Sequence, residues 1–185
     1  STNASITIIY VAVAVTTGGN TCAGITYNYT ITVNPKPSIT ENFAEAICSG
    51  ESFSITPSNS TLNSIPVGTT YSWSAPIVTG GITGGTSATN QTSISGTLVN
   101  PTNIVQTATY TVTPRANGCA GNTFTVVISV NPNPVIANVT HPAICSENAF
   151  TVTPTNGSGN IVPTGTTYTW TISTNTNITG ATASS

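Results

Sequence analysis

Gly68-Thr69-Thr70-Tyr71-Ser72-Trp73 returns 97 residues later as Gly165-Thr166-Thr167-Tyr168-Thr169-Trp170, with one conservative change. The same spacing separates Cys22 from Cys119 and Cys48 from Cys145. It carries Val33-Asn34-Pro35-Lys36-Pro37 onto Val130-Asn131-Pro132-Asn133-Pro134, and Thr56-Pro57 onto Thr153-Pro154. One register holds across all of these landmarks. Tandem duplication explains that; chance does not.

Inside the repeat the period is two. Tyr71 and Trp73 point one way, and Thr70, Ser72 and Ser74 the other. Thr107, Thr109, Thr111 and Thr113 alternate with Ala108, Tyr110 and Val112. Phe53 and Ile55 alternate with serine and threonine, and Phe124, Val126, Ile128 and Val130 make a last inward row. Such alternation predicts half-buried strands. Thr79-Gly80-Gly81 and Thr83-Gly84-Gly85 supply turns, and no segment has a capped helical period. The predicted class is all-β, with Tyr71, Trp73, Tyr110 and Phe124 in the core and Tyr168 and Trp170 in the equivalent core of the next repeat. A period near 100 residues suits one immunoglobulin-like sandwich, where an aromatic on an early-middle strand packs against the opposite sheet.

Proline fixes φ and removes a donor, so Asn-Pro-x-Pro cannot continue a central strand. Asn34, Pro35 and Pro37, then Asn131, Pro132 and Pro134, read as semi-rigid linkers. Residues 1–34 are then the end of one repeat, 35–131 a complete repeat, and 132–185 the first part of another. A chain cut this way is expected to come from a longer polypeptide, with sandwiches in a linear array.

Composition narrows the function. Lys and Arg number 2, Asp and Glu 4, and the formal net charge is -2. Soluble domains usually carry about a quarter charged residues. Disorder goes with low hydrophobicity and high net charge, whereas 37% of this chain is hydrophobic. Two cations cannot form the basic stripe that nucleic acid needs. The apolar run from Ile6 to Val15 is far shorter than a membrane helix, which needs about 20 residues. It also lacks the basic region that precedes a signal sequence.

No catalytic group, metal site or cofactor is expected. His141 stands where the complete repeat has Ala44, and Glu51 and Glu147 occupy different repeat positions. None of the three supplies the positioned acid–base pair that catalysis requires. Calcium favours several carboxylate oxygens, and the chain has no Asp. Lys36, the single lysine, lies in a linker, which argues against Lys–Asn cross-links. The threonine row from Thr107 to Thr113 could face ice or sugar, but threonine is ordinary on a solvated strand face. Asn28-Tyr29-Thr30 and Asn138-Val139-Thr140 are glycosylation-type triplets that arise by chance in so Asn- and Thr-rich a chain.

The cysteines form no C-x-x-C pair, which argues against zinc ribbons and thioredoxin-type sites. Their even number suggests disulfides and an oxidising compartment. The favoured bridge is Cys48–Cys119 within the complete repeat, leaving Cys22 and Cys145 to partners outside the chain. Cys22–Cys48 across the linker is the rival, and sequence alone does not fix connectivity.

Ile47-Cys48-Ser49-Gly50, Gly68 to Trp73, Ala108-Thr109-Tyr110-Thr111-Val112-Thr113-Pro114, Asn117-Gly118-Cys119 and Val130-Asn131-Pro132 together resemble the PKD-like, immunoglobulin-like repeats of giant Bacteroidota surface proteins. Those proteins include gliding-motility adhesins exported by type 9 secretion. The resemblance implies a non-catalytic stalk at the bacterial cell surface. Its partners would be neighbouring repeats, surface polysaccharide, or outer-membrane secretion and motility proteins. Two other readings stay open. A carbohydrate-binding module would need exposed Tyr71 and Trp73. A filament subunit would exchange strands through its incomplete repeats.

Overall fold

The computed structural model describes residues 3–19, 22–173 and 180–183. Among them are thirteen strands and no helix. β1 (Ile6–Val15) and β2 (Ala23–Val33) form a hairpin that pairs with no other described strand. The sandwich that follows contains β3 (Ser38–Ile39), β4 (Phe43–Cys48), β5 (Ser52–Ile55), β6 (Asn63–Ser64), β7 (Thr70–Trp73), β8 (Ile77–Val78), β9 (Ala88–Gln91), β10 (Ile94–Thr97), β11 (Gln106–Ala116), β12 (Cys119–Ala120) and β13 (Phe124–Asn131).

Alternation builds this sandwich. The main sheet runs β4-β13-β11-β7-β9, with β8 and β12 also paired to β11. Ala108, Tyr110 and Val112 of β11 and Phe124, Val126, Ile128 and Val130 of β13 are buried, while the intervening threonines and serine face outward. The β5–β10 ladder covers that inner face. Phe53 brings its ring to 5.5 Å from Tyr110, and Tyr110 meets Trp73 edge-on at 6.4 Å. Phe124 sits between Tyr71 at 6.2 Å and Phe43 at 5.6 Å. Tilted and edge-on rings place positive edges against negative faces, which favours these pairs beyond their buried area. The all-β, immunoglobulin-like expectation holds.

Two features position the chain ends. Asn117 and Gly118, with φ of 48° and 81°, make the two-residue turn between Ala116 and Cys119. Two positive φ values match the right-handed twist of the strands they join. In addition, β4 pairs with β13 in parallel, from Phe43 beside Val126 to Cys48 beside Asn131. The sandwich therefore has a leading end, at residues 117–122 and Pro37, and a trailing end, at Ser49, Asn100 and Asn131.

Asn100 holds the trailing end. Its buried amide donates to the carbonyls of Ile104 and Val130, both at 2.8 Å, and its Oδ1 accepts from the Thr102 backbone and hydroxyl. The Ser49 hydroxyl accepts from the Asn100 backbone at 2.9 Å. Every polar atom of the Asn100 side chain is thus used, as burial demands.

The linker prolines differ from the spacer expected. Pro37 is fully buried in the sandwich, and a Cβ on Gly121 would lie 2.5 Å from the Pro37 carbonyl oxygen. Pro134 is exposed.

Beyond Pro134 the local features of the repeat recur but its ladders do not. Asn160 donates to the Thr155 carbonyl as Asn63 does to that of Ser58. Thr166 closes onto Pro163 as Thr69 does onto Pro66, and the Val135–Ile161 bridge repeats Ser38–Ser64. No strand forms among residues 136–173, where the counterparts of β4, β5 and β7 lie. Within the sandwich, β4 and β7 pair with β13 and β11, and among the described residues no such partner strand covers this segment. Tyr168 and Trp170, expected in a core, are consequently exposed.

Candidate interaction site

The hairpin β1–β2 is a second copy of β11–β13. Tyr29, 97 residues before Val126, pairs with Tyr10; Val126 pairs with Tyr110. Tyr10 and Tyr110 are 100 residues apart, so three extra residues sit in the first hairpin's connection. The constant 97-residue offset thus fails ahead of Cys22. The Tyr10–Tyr110 match carried that signal in the sequence.

Register assigns the faces. Partners directly opposite share a face, which puts Ile8, Tyr10 and Ala12 with Tyr27, Tyr29 and Ile31. The corresponding face of the sandwich is its core. Tyr110 is 1% exposed and Val126 0%, whereas Tyr10 is 54% exposed and Tyr29 62%. No charged residue occurs between Ser1 and Pro35. Among the described residues the hairpin pairs with no third strand.

Core positions of the sandwich recur after residue 134 in exposed form. Phe150, counterpart of the 2%-exposed Phe53, is 64% exposed, and Trp170, counterpart of Trp73, is 54% exposed. The indole of Trp170 still donates to the Thr182 carbonyl at 3.0 Å, as that of Trp73 does to Thr86.

Polar contacts fix each joint. Asn34 donates to the Asn117 carbonyl and Lys36 to the Asn122 side chain, both at 3.2 Å at the leading end. Asn3 reaches Asn59 and Ser64 there. At the trailing end Asn133 donates to the Ser49 carbonyl at 2.7 Å.

All four cysteines are free thiols. The expected Cys48–Cys119 bridge is not formed, and geometry forbids it. Cys48 sits beside Asn131 at one end of β13, and Cys119 lies beyond Phe124 at the other. Eight strand residues span about 25 Å, while a disulfide holds Cα atoms within about 7 Å. The rival Cys22–Cys48 bridge fails in one chain for the same reason. Cys22 adjoins the end of the hairpin away from the Ile6–Val33 pair, the pair nearest the sandwich.

Other candidate chemistry stays dispersed. No group of three or more His, Cys or Glu residues that could hold a metal occurs among the described residues. His141 stacks near Phe150, with centroids 5.6 Å apart, and meets the Pro142 carbonyl. A shallow outer groove lies between Ser72, Ala88, Thr89, Thr111 and Thr113. Trp73 lines its floor but is buried, and Tyr71 is buried too, so neither offers a platform for a sugar ring. Burial raises the phenol pKa of Tyr71 and of Tyr110 above the usual tyrosine value. No helix among the described residues is long and apolar enough to cross a membrane.

No curated protein matches the chain. The PKD-like domain family matches residues 45–134, which hold the sandwich from β4 onward, and residues 142–185. Domains of that family are typically extracellular structural or adhesion-type modules and are generally non-catalytic. The matched segments cover well over half of the sequence, and the chain belongs to the PKD-like domain family.

Proposed function

We propose that the chain is a spacer segment of a long, secreted cell-surface stalk of the gliding-motility adhesin kind, with units divided near residues 35 and 132. The observation carrying this reading is the placement of the joints. Asn34 and Lys36 bind one end of the sandwich, and Asn133 binds the opposite end. Units joined at opposite ends add length in one direction, about 35 Å for an eleven-residue strand. Low charge favours the same role, since salt has little to screen and nonspecific attraction is weak. Location on a bacterial surface and export by type 9 secretion belong to this proposal.

The test is the mass of the native polypeptide, denatured and reduced. A mass many times 18.7 kDa is expected. A mass near 18.7 kDa overturns the stalk.

A further inference from the structure

We propose that each joint of the stalk carries a disulfide between consecutive repeats, linking the Cys48 position of one repeat to the Cys119 position of the next, and that these bridges shield the strands between Cys48 and Cys119 from tension. The inference rests on the reading of the chain as part of a longer stalk.

The joints assign the pair. Cys48 ends β4 and lies beside Asn131 at the trailing end of the sandwich. Cys119 follows the Asn117-Gly118 turn at the leading end. In a row of repeats, the trailing end of one meets the leading end of the next. Two separate contacts measure how closely. Asn34 is the counterpart of Asn131, 97 residues earlier. Its amide reaches the Asn117 carbonyl at 3.2 Å, two residues before Cys119. The β4–β13 register sets the preceding repeat's counterpart of Cys48 beside Asn34, one strand spacing of about 4.8 Å away. That cysteine therefore adjoins the Cys119 turn. The second contact uses Lys36, the counterpart of Asn133. Lys36 reaches Asn122, three residues past Cys119, and Asn133 reaches the Ser49 carbonyl, one residue past Cys48. Both routes connect the same two positions. Cys48 is exposed and Cys119 half-buried, so both thiols are open to exchange.

Cysteine holds both positions wherever the sequence shows them, as Cys22 and Cys119 and as Cys48 and Cys145. Each of the four belongs to a different joint. Cys48 pairs with the following repeat's counterpart of Cys119, and Cys119 with the preceding repeat's counterpart of Cys48. Each bridge forms by thiol–disulfide exchange with a small disulfide such as oxidised glutathione. One thiolate attacks it and expels one glutathione thiol; the second thiolate attacks the mixed disulfide and expels the other. Two protein thiols are oxidised and one glutathione disulfide is reduced.

The spacing gives the bridges a mechanical effect. Cys22 and Cys48 are 26 residues apart, as are Cys119 and Cys145. Each such segment begins at the leading end of one repeat, crosses a joint and ends at the trailing end of the next. A bridge there passes to the next Cys119 position, where another segment begins. Tension thus follows two interleaved paths, each spending 26 residues per two repeats. Fully extended, 26 residues reach about 90 Å, against about 70 Å for two folded repeats. The stretch from Cys48 to Cys119, with β5 to β11, lies off both paths. β4 and β13 stay on them, one on each.

The experiment uses the native polypeptide, isolated without reductant and with its free thiols alkylated. Its reduced mass reports separately on the stalk, and a value near 18.7 kDa removes the reading on which the bridges rest. For a longer chain, peptic digestion at low pH and mass mapping are expected to find Cys48 joined to the following repeat and Cys119 to the preceding one. Links among Cys22, Cys48, Cys119 and Cys145 themselves, or alkylated thiols at these positions, overturn the bridges and leave the stalk standing. Pulled end to end without reductant, the stalk is expected to lengthen by no more than about 10 Å per repeat. With reductant, each repeat is expected to release about 300 Å. Steps of about 300 Å in the absence of reductant overturn the shielding.

Discussion

Asn34 donates its side-chain amide to the carbonyl of Asn117 across 3.2 Å, fastening the residue after β2 to the turn between β11 and β12. Pro37 is buried close by, and Gly121 approaches its carbonyl so nearly that a Cβ would intrude at 2.5 Å, with the Pro114 ring at 2.8 Å. The joint is a packed contact.

Gly121→Ala tests that packing. Backbone on one side and a rigid ring on the other leave the methyl group nowhere to go. Overpacking of this kind costs about 1–3 kcal/mol. The urea midpoint of the sandwich is expected to fall accordingly, and digestion within residues 35–42 by a nonspecific protease to accelerate. An unchanged midpoint would mean that the joint yields freely.

Asn100→Ala removes one amide from four hydrogen bonds and leaves the Val130 carbonyl without the donor it has at 2.8 Å. An orphaned buried acceptor costs about 1–3 kcal/mol. Chemical denaturation is expected to show a loss in that range. Hydrogen exchange should quicken at Asn100 and Thr102 before it does at Tyr110.

Alkaline pH should unfold the sandwich through its tyrosines. Burial raises the folded-state pKa of Tyr71 and Tyr110 above 10.0. The unfolded chain then releases those protons first. Stability is intact below about pH 10 and is lost as pH rises from the unfolded value toward the folded one. Urea midpoints at pH 8 to about pH 11.5 measure it. The double variant Tyr71→Phe/Tyr110→Phe is expected to flatten the decline.

Trypsin should leave the folded chain whole. Lys36 precedes Pro37, and Arg115 lies within β11, paired to Thr70 on one side and Ala120 on the other. A brief trypsin pulse across a urea series is expected to cut at Arg115 alone, with a midpoint matching unfolding. Cleavage at Arg115 in buffer would show that this end of β11 opens locally.

Period-two alternation made β7, β11 and β13 legible, because each has one wet and one dry face. Asn117-Gly118 announced its turn through the only backbone geometry a two-residue hairpin accepts readily. What escaped was long-range. Phe43-Ala44-Glu45-Ala46-Ile47 carries no mark of a parallel partner beyond residue 124. Asn100 reads as loop because its acceptors, Ile104 and Val130, are chosen by the fold. The bridge expected between Cys48 and Cys119 treated membership of one repeat as proximity, whereas the strand between them keeps them a domain length apart. The hairpin's true register was hidden because every landmark used began at Cys22. Its apolar face could be assigned only once Tyr10 was seen opposite Tyr29.

The parallel pairing of β4 with β13 has a mechanical consequence. The chain enters beside the start of β4 and leaves at the end of β13, so tension along the molecule drags these two neighbours past each other lengthwise. Six residue pairs, from Phe43–Val126 to Cys48–Asn131, then resist in shear together, where peeling would break them in turn. Single-molecule extension between residues 35 and 132 is expected to rupture in one abrupt event, at a force well above that for pulling the edge strand β9 away from β7.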